Sequence, residues 1–230
     1  MEDMHMHLKK GVTDITIMQK YVEKCKEMKL NKVLFLDHGN RMSPKHTPVL
    51  NEPKVIKKFF ENIKIVRENN SDIEINAGIE SDFSYDEEFK EKEIEILKSC
   101  PFDYVIGSVH GMEKAEYMDY LQANIDMIKT YPINIIGHLK LRKEYEQYKG
   151  KIEEIVKLAT EKKLMFDINT SERSRWNIQQ LEYMLNLFKK YGTQYTLGSD
   201  AHSIEEIGYH IEEEYIKINK ILNQAERDIE

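Results

Sequence analysis

IEINAGIE, at residues 73–80, is a short apolar run that closes on an acid, and its length and composition read as a buried strand. The same reading extends outward in both directions. Upstream lies VLFLD (33–37); downstream come DYVIGSVH (103–110), INIIGH (133–138), LMFDINT (164–170) and QYTLGSD (194–200). A short first strand around residues 2–6 brings the total to about seven.

Between these runs the period changes. ITIMQKYVEKCKEMKL (15–30), PKVIKKFFENIKIVRE (53–68), KIEEIVKLATEKK (151–163) and IQQLEYMLNLFKKY (178–191) carry apolar residues at helical spacing. Pro53 suits a first helical turn, Asn177 an N-cap and Gly192 a helix stop. Regular alternation of strand and helix calls for parallel strands with right-handed crossovers, so the expected fold is α/β, a closed or distorted TIM-barrel-like (β/α) barrel. A barrel of this kind accounts for all 230 residues as a single domain, 1–230, and no Ser/Gly-rich linker divides it. The polar stretch GNRMSPKHTPVLNE (39–52) is a long loop expected to face substrate.

Bulk properties narrow the function. The chain is 40% hydrophobic and 33% charged, and no apolar stretch approaches the roughly 18 residues of a membrane span. MEDMHMHLKK lacks the apolar core and cleavage site of a secretory signal, and Cys25 and Cys100 supply neither a disulfide framework nor a CxxC site. The cytoplasm is the expected location. A net charge of −7 argues against long nucleic acid as a partner, because that needs clustered Lys and Arg.

Six of the eight histidines, His5, His7, His38, His110, His138 and His202, fall at or just past the C-terminal ends of these strands, and Glu80 and Asp200 share that rim. In such barrels the C-terminal face gathers groups from separate strands into one site. Any one of these histidines alone reads more readily as a polar cap on the backbone. Six imidazoles with two acids on one rim read as a metal centre, since these are the ligands that borderline divalent ions prefer. His5 and His7, two apart on a strand, point to one face.

The His-x-His pair is followed in order by LDHG (36–39), GIESDF (78–83), GSVHGM (107–112), IGH (136–138) and GSDAH (198–202). On these motifs the sequence resembles the PHP (polymerase and histidinol phosphatase) family, particularly its histidinol-phosphatase branch, from Asp3 to about Gly208. The resemblance implies a distorted seven-stranded barrel holding up to three zinc, iron or manganese ions. It assigns His5, His7, Glu80 and Asp200 to one ion, with Glu80 bridging to a second held by His110 and His138. His38 and His202 fall to a third.

Two departures matter. Family members commonly add a histidine after His-x-His; here LKKGVTD (8–14) has none, leaving Asp14, His46 or a weak or absent third ion. Lys140 stands where a carboxylate is common and adds a cation to the substrate side. DINTSERSRW (167–176) resembles the family strand after which an arginine faces the substrate phosphate, and Arg173 and Arg175 are both candidates for that two-pronged grip. Asp3 and Asp37 either orient imidazoles or cap their own loops, while His210 reads as surface and Trp176 as packing.

The implied activity is hydrolysis of a small phosphate monoester, L-histidinol phosphate giving L-histidinol and phosphate. A hydroxide between two ions sharing Glu80 would attack phosphorus. Asp200, His202 or a metal-bound water would protonate the leaving alkoxide. The alternatives are a phosphatase or phosphodiesterase for phosphotyrosine or nucleotide esters, or a catalytically silent metal-binding module.

Overall fold

The computed structural model describes residues 1–40 and 50–227. Seven parallel strands stand side by side in chain order: β1 (Glu2–His7), β2 (Lys32–Leu36), β3 (Glu74–Asp82), β4 (Tyr104–Ser108), β5 (Ile135–Ile136), β6 (Met165–Asn169) and β7 (Gln194–Gly198). The helices between and after them are α1 (Ile15–Glu27), α2 (Pro53–Asn69), α3 (Glu87–Ser99), α4 (Tyr117–Thr130), α5 (Lys149–Glu161), α6 (Ile178–Tyr191) and α7 (Ile211–Arg227). At the C-terminal rim β1 meets the segment after β7: Asp200 N donates to His5 O and His7 N to Ala201 O, both at 2.8 Å. The barrel is nearly closed there, as expected from the strand count.

Local chemistry sets the element ends. Asn177 and Gln180 form a reciprocal capping box at the start of α6, and Gly192 ends it in the left-handed region at φ 70°. Pro53 occupies the first turn of α2, where its missing N–H costs nothing. The helices α3, α4 and α7 lie outside the four helical stretches named from the sequence. α3 is so charged that its apolar stripe is thin, and its buried face includes Glu93 beside Leu97. α4 is buried on most sides and lacks a clear stripe. Among the described residues no helix is long and apolar enough to cross a membrane.

The core has two layers. Between strands and helices lie residues such as Met6, Phe35, Phe59, Ile79, Phe166 and Phe188. Phe166 and Phe188 sit ring to ring at 4.9 Å, and Phe166→Ala is expected to cost about 3–5 kcal/mol. Inside the barrel, Met4, Leu34, Leu36, Ile106 and Ile135 form a small apolar floor. Side chains alternate along a strand, so the rungs above this floor continue inward: His38 after Leu36, and His110 after Ile106 by way of Ser108. β1 needs an extra device, because Met4 and His5 both serve the interior. Its register with β2 shifts by one residue between Asp3 and Met6, and that bulge changes the parity.

Candidate metal centre

Above the floor, eight side chains from six strand ends meet. Glu80, at the top of β3, is 1% exposed and is their centre. Its Oε2 lies 2.8 Å from His38 Nδ1, 3.4 Å from His7 Nε2 and 3.8 Å from His5 Nε2. Its Oε1 faces the other way, 3.0 Å from His138 Nε2 and 3.6 Å from His110 Nε2. Asp200 Oδ1 closes the first group at 3.3 Å from His7 Nε2 and 3.6 Å from His5 Nε2.

Several imidazoles are aimed by a second partner. His5 Nδ1 donates to Asp167 Oδ2 at 2.9 Å, His110 Nδ1 to Asp82 Oδ1 at 2.7 Å, and His202 Nδ1 to the carbonyl of Asp200 at 2.7 Å. Each such bond fixes the ring and leaves Nε2 with a lone pair in the neutral form. The Nε2 atoms of His5 and His7 then face each other at 3.3 Å. Asp167 and Asp82 were missed in the sequence, although the signal was there: each sits two residues from an inward position, Met165 and Glu80. Gly198 makes the His5–Asp167 contact possible, because a Cβ there would lie 2.5 Å from both Asp167 Oδ1 and His5 Cβ.

Asp3 does different work. Its carboxylate accepts the backbone N–H groups of Ser199 at 2.9 Å and Gly208 at 3.1 Å, tying β1 to the loop after β7. Asp37 accepts from His38 N at 2.8 Å and Lys9 N at 2.5 Å, with His7 Nδ1 3.6 Å away. Two members of the cluster have positive φ without being glycine, His138 at 20° and Asp200 at 53°, a departure that recurs at functional sites.

Burial alone would discharge these groups, and their mutual attraction outweighs it. Desolvation disfavours protonated His5, yet Asp200 and Asp167 hold its pKa well above the usual histidine value. His7 is raised against burial by Asp200 and Asp37, and His138 by Glu80. Burial pushes Glu80 up, but His38 and His110 pull it well below the usual carboxylate range; Asp200 is lowered against burial by His5 and His7. Protons on the imidazoles thus do what a bound cation would do. His202 goes the other way, lowered to about 4 by burial and the neighbouring charge of His7.

The donor set fits divalent ions. A tetrahedral ion with ligands at about 2.1 Å has donor–donor edges of roughly 3.4 Å. Among the His5, His7, Glu80 and Asp200 donors, every pair except Glu80–Asp200 lies 3.3–3.8 Å apart. Among the described residues three overlapping groups are spaced to hold an ion, with His5 and His7 each in two of them: His5, His7 and Asp200; His5, Glu80 and His138; and His7, His38 and His202. Asp14 is in none of these groups, and its Oδ1 caps α1 by accepting from Thr16 N and Ile17 N. His46 lies outside the described residues.

A cavity of about 430 Å³ opens beside the cluster, lined by Ser171, Glu172, Arg173, Ser199, Asp200, Glu205, Glu206 and Tyr209. Arg173 is in its wall. Arg175 does not line it: its guanidinium is held by Glu214 at 2.7 Å and Glu213 at 2.8 Å on α7. Lys140 reaches towards Glu113, with Nζ 3.8 Å from Oε1. His210 pairs with Glu213 near the surface.

Fold and site together define a (β/α)-barrel protein with a histidine–carboxylate centre built for more than one metal ion. Residues 3–171 match the PHP domain, and the chain belongs to the PHP family. The histidinol-phosphatase of Lactococcus lactis subsp. lactis (strain IL1403) is 26% identical over 231 residues, covering 87% of this chain and 83% of that protein. A probable phosphatase of Caldicellulosiruptor bescii is 28% identical, covering 83% and 75%. Among solved structures, the histidinol phosphate phosphatase of Lactococcus lactis, complexed with zinc, L-histidinol and phosphate, superposes with a TM-score of 0.77 at 22% identity, over 96% of this chain and 93% of that one. The putative histidinol phosphatase of Listeria monocytogenes gives 0.64 at 15% identity, over 91% and 98%.

Proposed function

We propose that the protein is a metal-dependent phosphomonoesterase that converts L-histidinol phosphate to L-histidinol and phosphate. The observation that carries this reading is the divided aim of Glu80, with one oxygen towards His5 and His7 and the other towards His110 and His138. In this reading His5, His7, Glu80 and Asp200 hold one divalent ion, Glu80, His110 and His138 a second, and His38 and His202 contribute to a third. Zinc, iron and manganese all suit such donors. When bound, the ions supply Lewis acidity at the phosphoryl oxygens and an activated water at neutral pH.

The chain does the rest. Glu80 and the aspartates behind the imidazoles keep the cup in shape before substrate arrives. Arg173, in the cavity wall, grips the phosphate through paired N–H donors. Glu172, Glu205 and Glu206 leave that cavity with surplus negative charge, which favours an ester whose alcohol half is cationic. The amine and imidazole of L-histidinol meet that description. Lys140 is a further cation on the substrate side, near His138. Asp200 is a proposed ligand that also lines the cavity; held unprotonated by His5 and His7, its carboxylate is placed to take a proton from the attacking water and hand it to the leaving oxygen.

The test is phosphate release from L-histidinol phosphate, phosphotyrosine and a nucleoside monophosphate, using protein purified without chelator and assayed for metal. Turnover should be highest on L-histidinol phosphate and fall by several orders of magnitude in Glu80→Ala. Bound metal with no hydrolysis would leave a silent module, and preference for another ester would overturn the substrate assignment.

A further inference from the structure

His138 reaches Glu80 from a position that strand geometry would deny it. Ile135 of β5 points into the barrel, so alternation turns residue 137 inward and residue 138 outward. Gly137 does take the inward place, where a Cβ would collide with Ser108 Oγ. His138 nevertheless turns in, at φ 20°, and brings Nε2 to 3.0 Å from Glu80 Oε1. The strand ladder stops at the same point. β5 pairs with its neighbours at Ile135 and Ile136, preceded by Asn134, whose N donates to Val105 O and whose O accepts from Met165 N, and followed by a bond from Gly137 N to Gly107 O.

Side chains take over from the ladder. Tyr120 OH accepts from Lys140 N at 2.9 Å, and Tyr117 OH donates to Lys140 O at 3.0 Å. Trp176 Nε1 donates to Leu139 O at 2.8 Å, and Gln180 Nε2 to Leu141 O at 2.7 Å. All four of these side chains are buried. Arg142 lies over the rings of Tyr117 and Tyr120 at 5.2 and 5.5 Å and donates to Met112 O and Ala115 O, in the loop after His110.

Buried backbone groups demand partners, and here a segment that has left the sheet finds them in α4, in α6 and in Trp176 just before the α6 cap rather than in a strand. We infer that Tyr117, Tyr120, Trp176 and Gln180 are positioning residues that hold His138 in its inward turn, with Arg142 fastening the His110 loop to the same support. The inference rests on the reading that Glu80, His110 and His138 hold an ion. Because His5, His7 and Asp200 hang on β1 and β7 instead, damage to this cradle should weaken one ion and spare the other.

Zinc titration of metal-free protein against a chromophoric chelator tests this on the wild type, the Tyr117→Phe/Tyr120→Phe double variant, Trp176→Phe, and Tyr183→Phe. The last removes a comparable tyrosine bond, to Lys149 O, away from the centre. The double variant should bind one ion about 10–100-fold more weakly, with affinity for the other unchanged and Tyr183→Phe matching wild type. Trp176→Phe should shift the same ion, which keeps the test decisive should the double variant fail to fold. Equal weakening of every ion, or a lowered melting temperature with unchanged affinities, would overturn the inference. A wild-type protein that takes up no zinc would overturn the reading of the metal centre itself.

Discussion

His5 and Asp167 are 162 positions apart in the chain, yet His5 Nδ1 and Asp167 Oδ2 lie 2.9 Å apart with both side chains buried. The carboxylate fixes the ring so that Nε2 faces the cup. Asp167→Ala should therefore lower metal affinity by about 10–100-fold while the circular dichroism spectrum stays near wild type. Chelator competition measures it, and unchanged affinity would remove Asp167 from the site.

The two candidate arginines should separate cleanly. Arg173→Ala should raise KM and cut kcat/KM by about 100-fold on a phosphate monoester, with little change in melting temperature. Arg175→Ala should do the reverse: it leaves the carboxylate of Glu214, whose side chain is 2% exposed, to Lys217 at 3.6 Å, so stability should fall by about 1–3 kcal/mol with kinetics preserved. Equal kinetic losses in both variants would contradict the division of labour.

Metal-free protein should show a pH dependence of a definite sign. The raised pKa values of His5, His7 and His138 contribute stability that is fully present below the unfolded value of about 6.5 and is lost as pH climbs through the folded values. The lowered values of Glu80 and Asp200 contribute above about 4 and fade as pH falls through theirs; these are the same attractions viewed from the acid side. The melting temperature of chelator-treated protein should thus fall as pH rises above about 6.5, and zinc loading at neutral pH should release protons. Calorimetry in buffers of different ionisation enthalpy reads the release. A flat melting profile with no proton release would contradict the charge state assigned to the cup.

Much of this was legible in the sequence because a parallel barrel writes each strand as a short apolar run and puts chemistry at its end. His38, Glu80, His110 and Asp200 follow such runs directly. Asp167 and Asp82 were harder: a carboxylate inside or just beyond a strand looks like any other acid until the inward parity is known. Parity itself hides in β1, where the bulge before Met6 lets both Met4 and His5 face inward. The choice between Arg173 and Arg175 has no local signal at all, since their segment is irregular and the deciding partners, Glu213 and Glu214, lie on a helix far along the chain. α3 escaped because Glu93 occupies a core position that apolar spacing would give to an aliphatic residue.

Diffraction from crystals of protein prepared without chelator, with data at the zinc, iron and manganese edges, tests the shared centre most directly. At least two anomalous peaks should flank Glu80, one about 2.0–2.2 Å from donors of His5, His7 and Asp200 and another at similar range from His110 and His138. Peaks that leave Glu80 without an ion on either side, or an empty cup in metal-replete protein, would contradict it.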